Sequence, residues 1–293
     1  MTLLSIRHIT RYQYKSPVPF GEHRLMFRPR DSFDQRLINF GLAISPLPKT
    51  LRWLHDPFGN CIAVASFGGE ADELVFDSTV VVDHQLILAP DFLLEAYAQS
   101  YPFAYSAEEM PDLGRLIERQ YLDPDHQVDR WARQFLRQGR ATDTGELLMT
   151  LTTAIKESFV YNHRSERGTQ DPLQTLTTGR GTCRDFAVLM IESVRALGLA
   201  ARFVSGYLHV PSAAQREFHG GGNTHAWCQV YLPGAGWVEF DPTNGNVGNA
   251  NLIRIAVARD PRQALPLSGT FTGGESTFLG MTVSVETREL TIP

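Results

Sequence analysis

The spacing of hydrophobic residues changes once along the chain, and that change restricts the folds open to it. Up to about residue 88 apolar and polar residues alternate. Ile38, Phe40, Leu42 and Ile44 share one face of a segment, and Leu74, Phe76, Val80 and Val82 share a face of another. A period of two places successive side chains on opposite faces of a strand, so this region reads as half-buried β structure. Between two such runs lies Asp56-Pro57-Phe58-Gly59-Asn60, where proline presets the second turn position and Gly59 or Asn60 can take a left-handed backbone. Short strands punctuated in this way predict a compact antiparallel, sandwich-like domain over residues 1–88.

Beyond residue 88 the spacing becomes helical. Leu113, Leu116, Ile117 and Tyr121, then Val128, Trp131, Ala132, Phe135 and Leu136, recur every three or four positions, and Gly139 follows as a C-terminal stop. These segments form an expected helical connection over residues 89–142. Asp143 and Glu146 have the spacing of a capping box, and the stripe Leu147, Leu148, Leu151, Ala154, Ile155 continues from them. They open a third region, residues 143–293, expected to carry the chemistry and to end in strands. The fold class that follows is α+β.

Composition removes several functions. With 293 residues, 43% of them hydrophobic, the chain can bury a core large enough for two domains. A formal net charge of -5 gives no basic field to attract nucleic acid. The first eight residues contain charge and lack the apolar block of a secretory signal, and no apolar run approaches the roughly 18 residues needed to span a bilayer. A cytoplasmic protein without a membrane partner is expected. Three scattered cysteines, Cys61, Cys183 and Cys228, form neither a disulfide framework nor a closely spaced zinc pair.

Cys183 has the most informative surroundings. Gly179-Arg-Gly-Thr-Cys183-Arg-Asp-Phe186 leads into Leu189, Met190, Ser193, Val194 and Leu197, so Cys183 falls in the first turn of an amphipathic helix. Thr182 and Asp185 have N-cap and N3 spacing. Unpaired N–H groups and the positive end of the helix dipole favour thiolate and can hold an oxyanion. Glycines 179 and 181 are expected to leave the sulfur approachable. Alone, the segment fits a small buried cysteine at a helix start equally well.

A second pattern gives this cysteine partners. Thr224 to Leu232 and Trp237 to Asp241 alternate around Pro233-Gly-Ala-Gly236, an antiparallel hairpin. With Tyr231 opposite Trp237, His225 and Asp241 become diagonal neighbours on one face, within side-chain reach. A one-residue slip would separate them. Cys183, His225 and Asp241 then form a nucleophile, base and orienter set, with Cys228 on the opposite face as a core residue.

At these residues the chain resembles the bacterial transglutaminase-like family. The matching pieces are Gly-Thr-Cys-Arg-Asp-Phe-Ala at 181–187, Gly-Leu-Ala-Ala-Arg-Phe-Val-Ser-Gly-Tyr-Leu at 198–208, Thr-His-Ala-Trp at 224–227 and Asp-Pro-Thr-Asn at 241–244. The stretch from His8 to Val18 and the turn at 56–60 resemble the β-rich domain that often precedes that core. The resemblance implies a papain-like arrangement with Cys183 as nucleophile, His225 as base and Asp241 as the carboxylate. Thr182 and Thr224 stand where many relatives have an apolar residue and serine. Papain-like enzymes add a side-chain donor to the nucleophile's own N–H in the oxyanion hole. Tyr161 is the candidate here, with Thr182 and Trp227 as further oxyanion or substrate contacts.

The implied activity is acyl transfer from an amide or peptide through a thioester, to water or to a primary amine, on a peptide or protein substrate. A peptidase or amidase using water alone, and a non-catalytic peptide-binding module, are the alternatives. No cofactor is expected, and His209, His219, His225 and Cys228 match no zinc spacing. Asp185 is either a second site carboxylate or the helix cap. The stretch from His209 to Asn223, closing on Gly220-Gly-Gly222, is expected to border the cleft as a mobile rim.

Overall fold

A computed structural model describes residues 2–86, 93–162, 168–210, 219 and 221–290. In chain order it contains β1 (Thr2–Leu25), β2 (Gln35–Ser45), β3 (Thr50–His55), β4 (Cys61–Ser66), β5 (Glu70–His84), β6 (Ser100–Tyr101), α1 (Met110–Ile117), α2 (Gln127–Arg133), β7 (Thr142–Asp143), α3 (Thr144–Ser158) and β8 (Val160–Tyr161). There follow α4 (Pro172–Thr178), β9 (Arg180–Gly181), α5 (Cys183–Ala196), β10 (Ala201–Leu208), β11 (Thr224–Leu232), β12 (Gly236–Asp241), β13 (Asn246–Val247), β14 (Leu252–Ala258), β15 (Leu267–Phe271) and β16 (Phe278–Leu290). The architecture is α+β and strand-rich. No described helix is long and apolar enough to cross a membrane.

The first body is an antiparallel sandwich built on one long strand. The first part of β1 pairs with β5 on one side and β16 on the other, while its last part pairs with β4 and β15. Its pairing with β5 shifts register between Gln13 and Val18 and ends at Pro19, beyond which the strand pairs with β15 and β4. Tyr14, Phe20, Leu25, Phe27, Leu74 and Phe76 fill the space between. Each such side chain contributes about 1.5–3 kcal/mol when fully buried. The alternation in β5 holds, with Leu74, Phe76, Val80 and Val82 all buried. In β2 it breaks at Ile38, because a bulge between Leu37 and Asn39 turns Ile38 to solvent while Phe40, Leu42 and Ile44 stay against the core. The strands at the end of the chain join β1, not the sheet that carries His225.

The expected turn at 56–60 connects β3 to β4, with Gly59 at φ 75° and Asp56 Oδ1 accepting from the N–H groups of Phe58 and Asn60. Asn60 then exchanges two hydrogen bonds with the backbone of Val257 on β14, at 2.7 and 2.9 Å. The hairpin thereby docks the first body on the second.

The helices α1 and α2 are shorter than the apolar spacing implies. After α1 the buried carboxylate of Glu192 accepts from Arg119 Nε at 2.9 Å and from the N–H groups of Gln120 and Tyr121. Backbone donors captured by a side chain cannot continue a helical ladder. Gly139 has φ 70° but closes a turn six residues past α2. α3 begins as expected, Asp143 accepting from the N–H of Glu146 at 2.7 Å.

The second body is a five-stranded antiparallel sheet in the order β13-β12-β11-β10-β14. On one face α5 packs Phe186, Leu189, Met190 and Val194 in a common core with Ala226, Cys228, Val230 and Phe240. On the other, Tyr207, Ile253 and Ile255 meet Leu4, Ile6, Val80, Val82 and Val285 of the sandwich.

Candidate active site

Cys183 is the first residue of α5, where its N–H has no carbonyl one turn earlier to bond. Asp185 secures this helix start. Its carboxylate accepts from Thr182 N–H at 2.8 Å, Thr182 Oγ1 at 2.9 Å and Gln170 N–H at 2.7 Å. Asp185 is therefore the cap and also ties down the loop before α4. The Thr182 hydroxyl spends its proton on that carboxylate, so Thr182 positions the helix and offers no donor to a substrate.

The flanking glycines serve the backbone. Gly179 ends α4 at φ 63°, and a Cβ on Gly181 would lie 2.9 Å from Asp185 Cβ and 3.0 Å from the Phe186 ring. Parallel pairing of Tyr161 with Gly181 brings Tyr161 alongside Cys183. Burial, and after it the charge of Cys183, push the Tyr161 phenol up to about 12, so it stays a proton donor. Its ring stacks on that of His219, centroids 4.8 Å apart.

The hairpin has the register that unites His225 with Asp241: Tyr231 pairs with Trp237, Gln229 with Glu239 and Cys228 with Phe240. His225 Nε2 lies 2.9 Å from Asp241 Oδ2, with both side chains fully buried. Asp241 also accepts from Asn244 Nδ2 at 2.7 Å and from Thr243 N–H at 3.0 Å. Burial works against both charges, yet each overcomes it through the other: Asp241 is held below the usual carboxylate range and His225 is raised to about 10. Cys183 adds to the rise of His225, and among the described residues ring Nδ1 has no other hydrogen-bond partner. One ring nitrogen thus serves the carboxylate and the other is left for sulfur.

Trp227 is wholly buried and stacks on His225, centroids 5.9 Å apart and planes 27° from parallel. Its Nε1–H donates to Glu239 Oε2 at 2.6 Å. Trp227 consequently braces the imidazole. Glu239 accepts as well from Gln229 Nε2 at 2.7 Å and from Arg254 Nη1 at 2.6 Å, and Arg254 reaches Asp34 of the sandwich at 3.0 Å. From the Trp227 ring that stacks on His225, a chain of hydrogen-bonded and charged groups so runs to the first body.

Asn244, Glu239 and His219 escape a reading of the sequence as site residues. Asn244 stands in the Asp-Pro-Thr-Asn turn, and Glu239 shares the alternating face of Asp241, but nothing local marks their partners. Asn244 also accepts from His219 N–H at 2.8 Å and donates to its carbonyl at 3.3 Å. The expected rim lies largely outside the described residues, since 211–218 and 220 are not among them. Cys228 is fully buried and its thiol is pushed up by that burial. Cys61 Sγ lies 3.6 Å from His55 Nε2, and His209 Nδ1 lies 3.0 Å from Thr287 Oγ1. Among the described residues no group of three His, Cys, Asp or Glu side chains could hold a metal.

Residues 129–242, which hold Cys183, His225 and Asp241, match the transglutaminase-like superfamily. That segment is a transglutaminase-like core. Residues 4–83, which hold most of the sandwich, match the bacterial transglutaminase-like N-terminal region. An uncharacterised protein of Mycobacterium tuberculosis is 28% identical over 293 residues, covering 96% of this chain and 91% of its own. One from Mycobacterium leprae is 26% identical, covering 97% and 99%. A crystal structure from Cytophaga hutchinsonii, that of a candidate cysteine protease, superposes with a TM-score of 0.70 at 20% identity, covering 100% of this chain and 92% of the other. The transglutaminase-like core thus has the papain-like layout of a helix start facing a strand histidine.

Proposed function

We propose that this transglutaminase-like protein catalyses cysteine-dependent acyl transfer on amide or peptide substrates. The observation that carries the reading is His225 held by Asp241 at 2.9 Å through Nε2, with Nδ1 left for Cys183 at a capped helix start. A thiolate paired with imidazolium adds to the amide carbon. The oxyanion forms beside the Cys183 N–H and the Tyr161 hydroxyl. The C–N bond breaks as His225 passes its proton to the leaving amine or ammonia, giving a thioester. Water or a primary amine next attacks, His225 removes its proton, and the C–S bond breaks to restore the thiolate. Water completes hydrolysis and an amine completes transamidation.

The test incubates the protein with a peptide library and a primary amine and follows products by mass spectrometry, with Cys183→Ala in parallel. Deamidation, peptide cleavage or amine addition that disappears in the variant supports the proposal and identifies the acceptor. Peptide capture without turnover by both proteins would instead establish a binding module.

A further inference from the structure

The face of the five-stranded sheet opposite α5 borders a cavity of about 590 Å3 between β12, β14 and the loop from Arg30 to Asp34. That volume falls within the roughly 300–1,000 Å3 of small-molecule sites. Arg202 on β10 lines it. Its Nε donates to Gln229 Oε1 at 2.7 Å, and its guanidinium lies 4.0 Å over the Trp237 ring. Its two terminal nitrogens have no hydrogen-bond partner among the described residues. Burial, reinforced by Arg254 and Arg30 and opposed by Glu239, pushes this guanidinium down to about 9.

Of the other charges of the wall, Arg30 donates through Nη1 to the Phe58 carbonyl oxygen at 3.1 Å, and the rest are engaged by neighbouring groups. Arg254 is spent on Glu239, Asp34 and Ser32, and Glu239 is further occupied by Trp227 and Gln229. Asp31 Oδ1 accepts from Leu37 N–H. Arg202 is left as a planar fork with two donors, a geometry that fits a carboxylate bidentately. Asp31, Asp34 and Glu239 line the same space, which disfavours a compact dianion such as phosphate. Trp237, Ile255 and Val257 supply apolar surface beside the fork.

We propose that this cavity is a second binding site, separate from the cleft at Cys183, for a small monocarboxylate with an apolar or aromatic body, held through Arg202. The test is calorimetric titration of the full chain with 4-phenylbutyrate, its neutral amide and inorganic phosphate. Saturable binding of the carboxylate, at least about tenfold tighter than the amide or phosphate, is expected. Capping Cys183 with iodoacetamide should leave it unchanged. Arg202→Met should abolish binding and Arg202→Lys, which keeps the charge and loses the fork, should weaken it about tenfold. Should the Met variant fail to fold, the Lys variant decides. Absence of saturable binding, equal binding of the amide or phosphate, loss of binding on capping Cys183, or undiminished affinity in Arg202→Lys would each overturn the proposal.

Discussion

Replacing Asp241 with asparagine keeps the shape of the side chain and removes the charge that holds His225 protonated. His225 stands at about 10 against an ordinary 6.5, although burial alone drives it down. At about 1.4 kcal/mol per pKa step, the full rise is worth on the order of 5 kcal/mol of imidazolium stabilisation, of which Asp241 supplies the largest share and Cys183 the rest. The pair has two pH windows. The stability from His225 is complete below about 6.5 and is lost as pH rises through 10; that from Asp241 is present above 3.8 and is lost as pH falls through its depressed folded value. In Asp241→Asn the stability difference from wild type should therefore be largest near neutrality and shrink at both extremes. Alkylation of Cys183 by iodoacetamide at pH 6 needs no substrate and should slow at least tenfold, because a neutral ring no longer pairs with the thiolate. Turnover on an identified substrate should fall by about 10³- to 10⁴-fold. A folded variant whose alkylation profile superimposes on wild type across pH would refute the assignment.

Further outcomes are expected. Limiting iodoacetamide near pH 6 should label Cys183, which keeps 7% of its surface exposed, before Cys61 beside His55 and before the fully buried Cys228; peptide mapping that finds equal labelling would remove Cys183 as nucleophile. Asp185→Ala strips the helix start of its acceptor and should cost about 2–3 kcal/mol in urea denaturation, with slower Cys183 alkylation; an unchanged midpoint would mean that water replaces the cap. Gly206→Ala places a Cβ 2.1 Å from the Ile253 carbonyl oxygen and 2.7 Å from the Trp227 ring, so a loss of about 3 kcal/mol or more is expected, and a stability equal to wild type would contradict the packing described for Trp227.

What could be read from the sequence was local. The two alternating runs around Pro233 to Gly236 marked the β11–β12 hairpin, and requiring His225 to meet Asp241 picked out one register, Tyr231 opposite Trp237, which the strands adopt. The cap at Thr182 and Asp185 and the Asp143 cap were likewise visible as short spacings. Features built by distant residues carry no such signature. Glu239 looks like an ordinary exposed-face carboxylate until Arg254 and Asp34, from two other segments, arrive beside it. Glu192 ends α1 early from more than seventy residues away. The bulge at Ile38 leaves the hydrophobic pattern intact while changing which side of the sheet it serves.

The pairing of β1 with β16 sets a temporal order on this molecule. Leu3 lies opposite Leu290, so the whole cleft-forming chain is synthesised between two neighbouring strands. Throughout that interval one edge of β1 has no final partner, and an unpaired edge rich in alternating apolar residues is a template for association with other chains. Val285 of β16 also packs against Tyr207 and Ile255, so the rear of the five-stranded sheet is completed by the same late strand. Such long-range closure predicts slow refolding from denaturant. It also predicts that chains truncated before Phe278 accumulate as aggregates even though every residue of the candidate cleft is present.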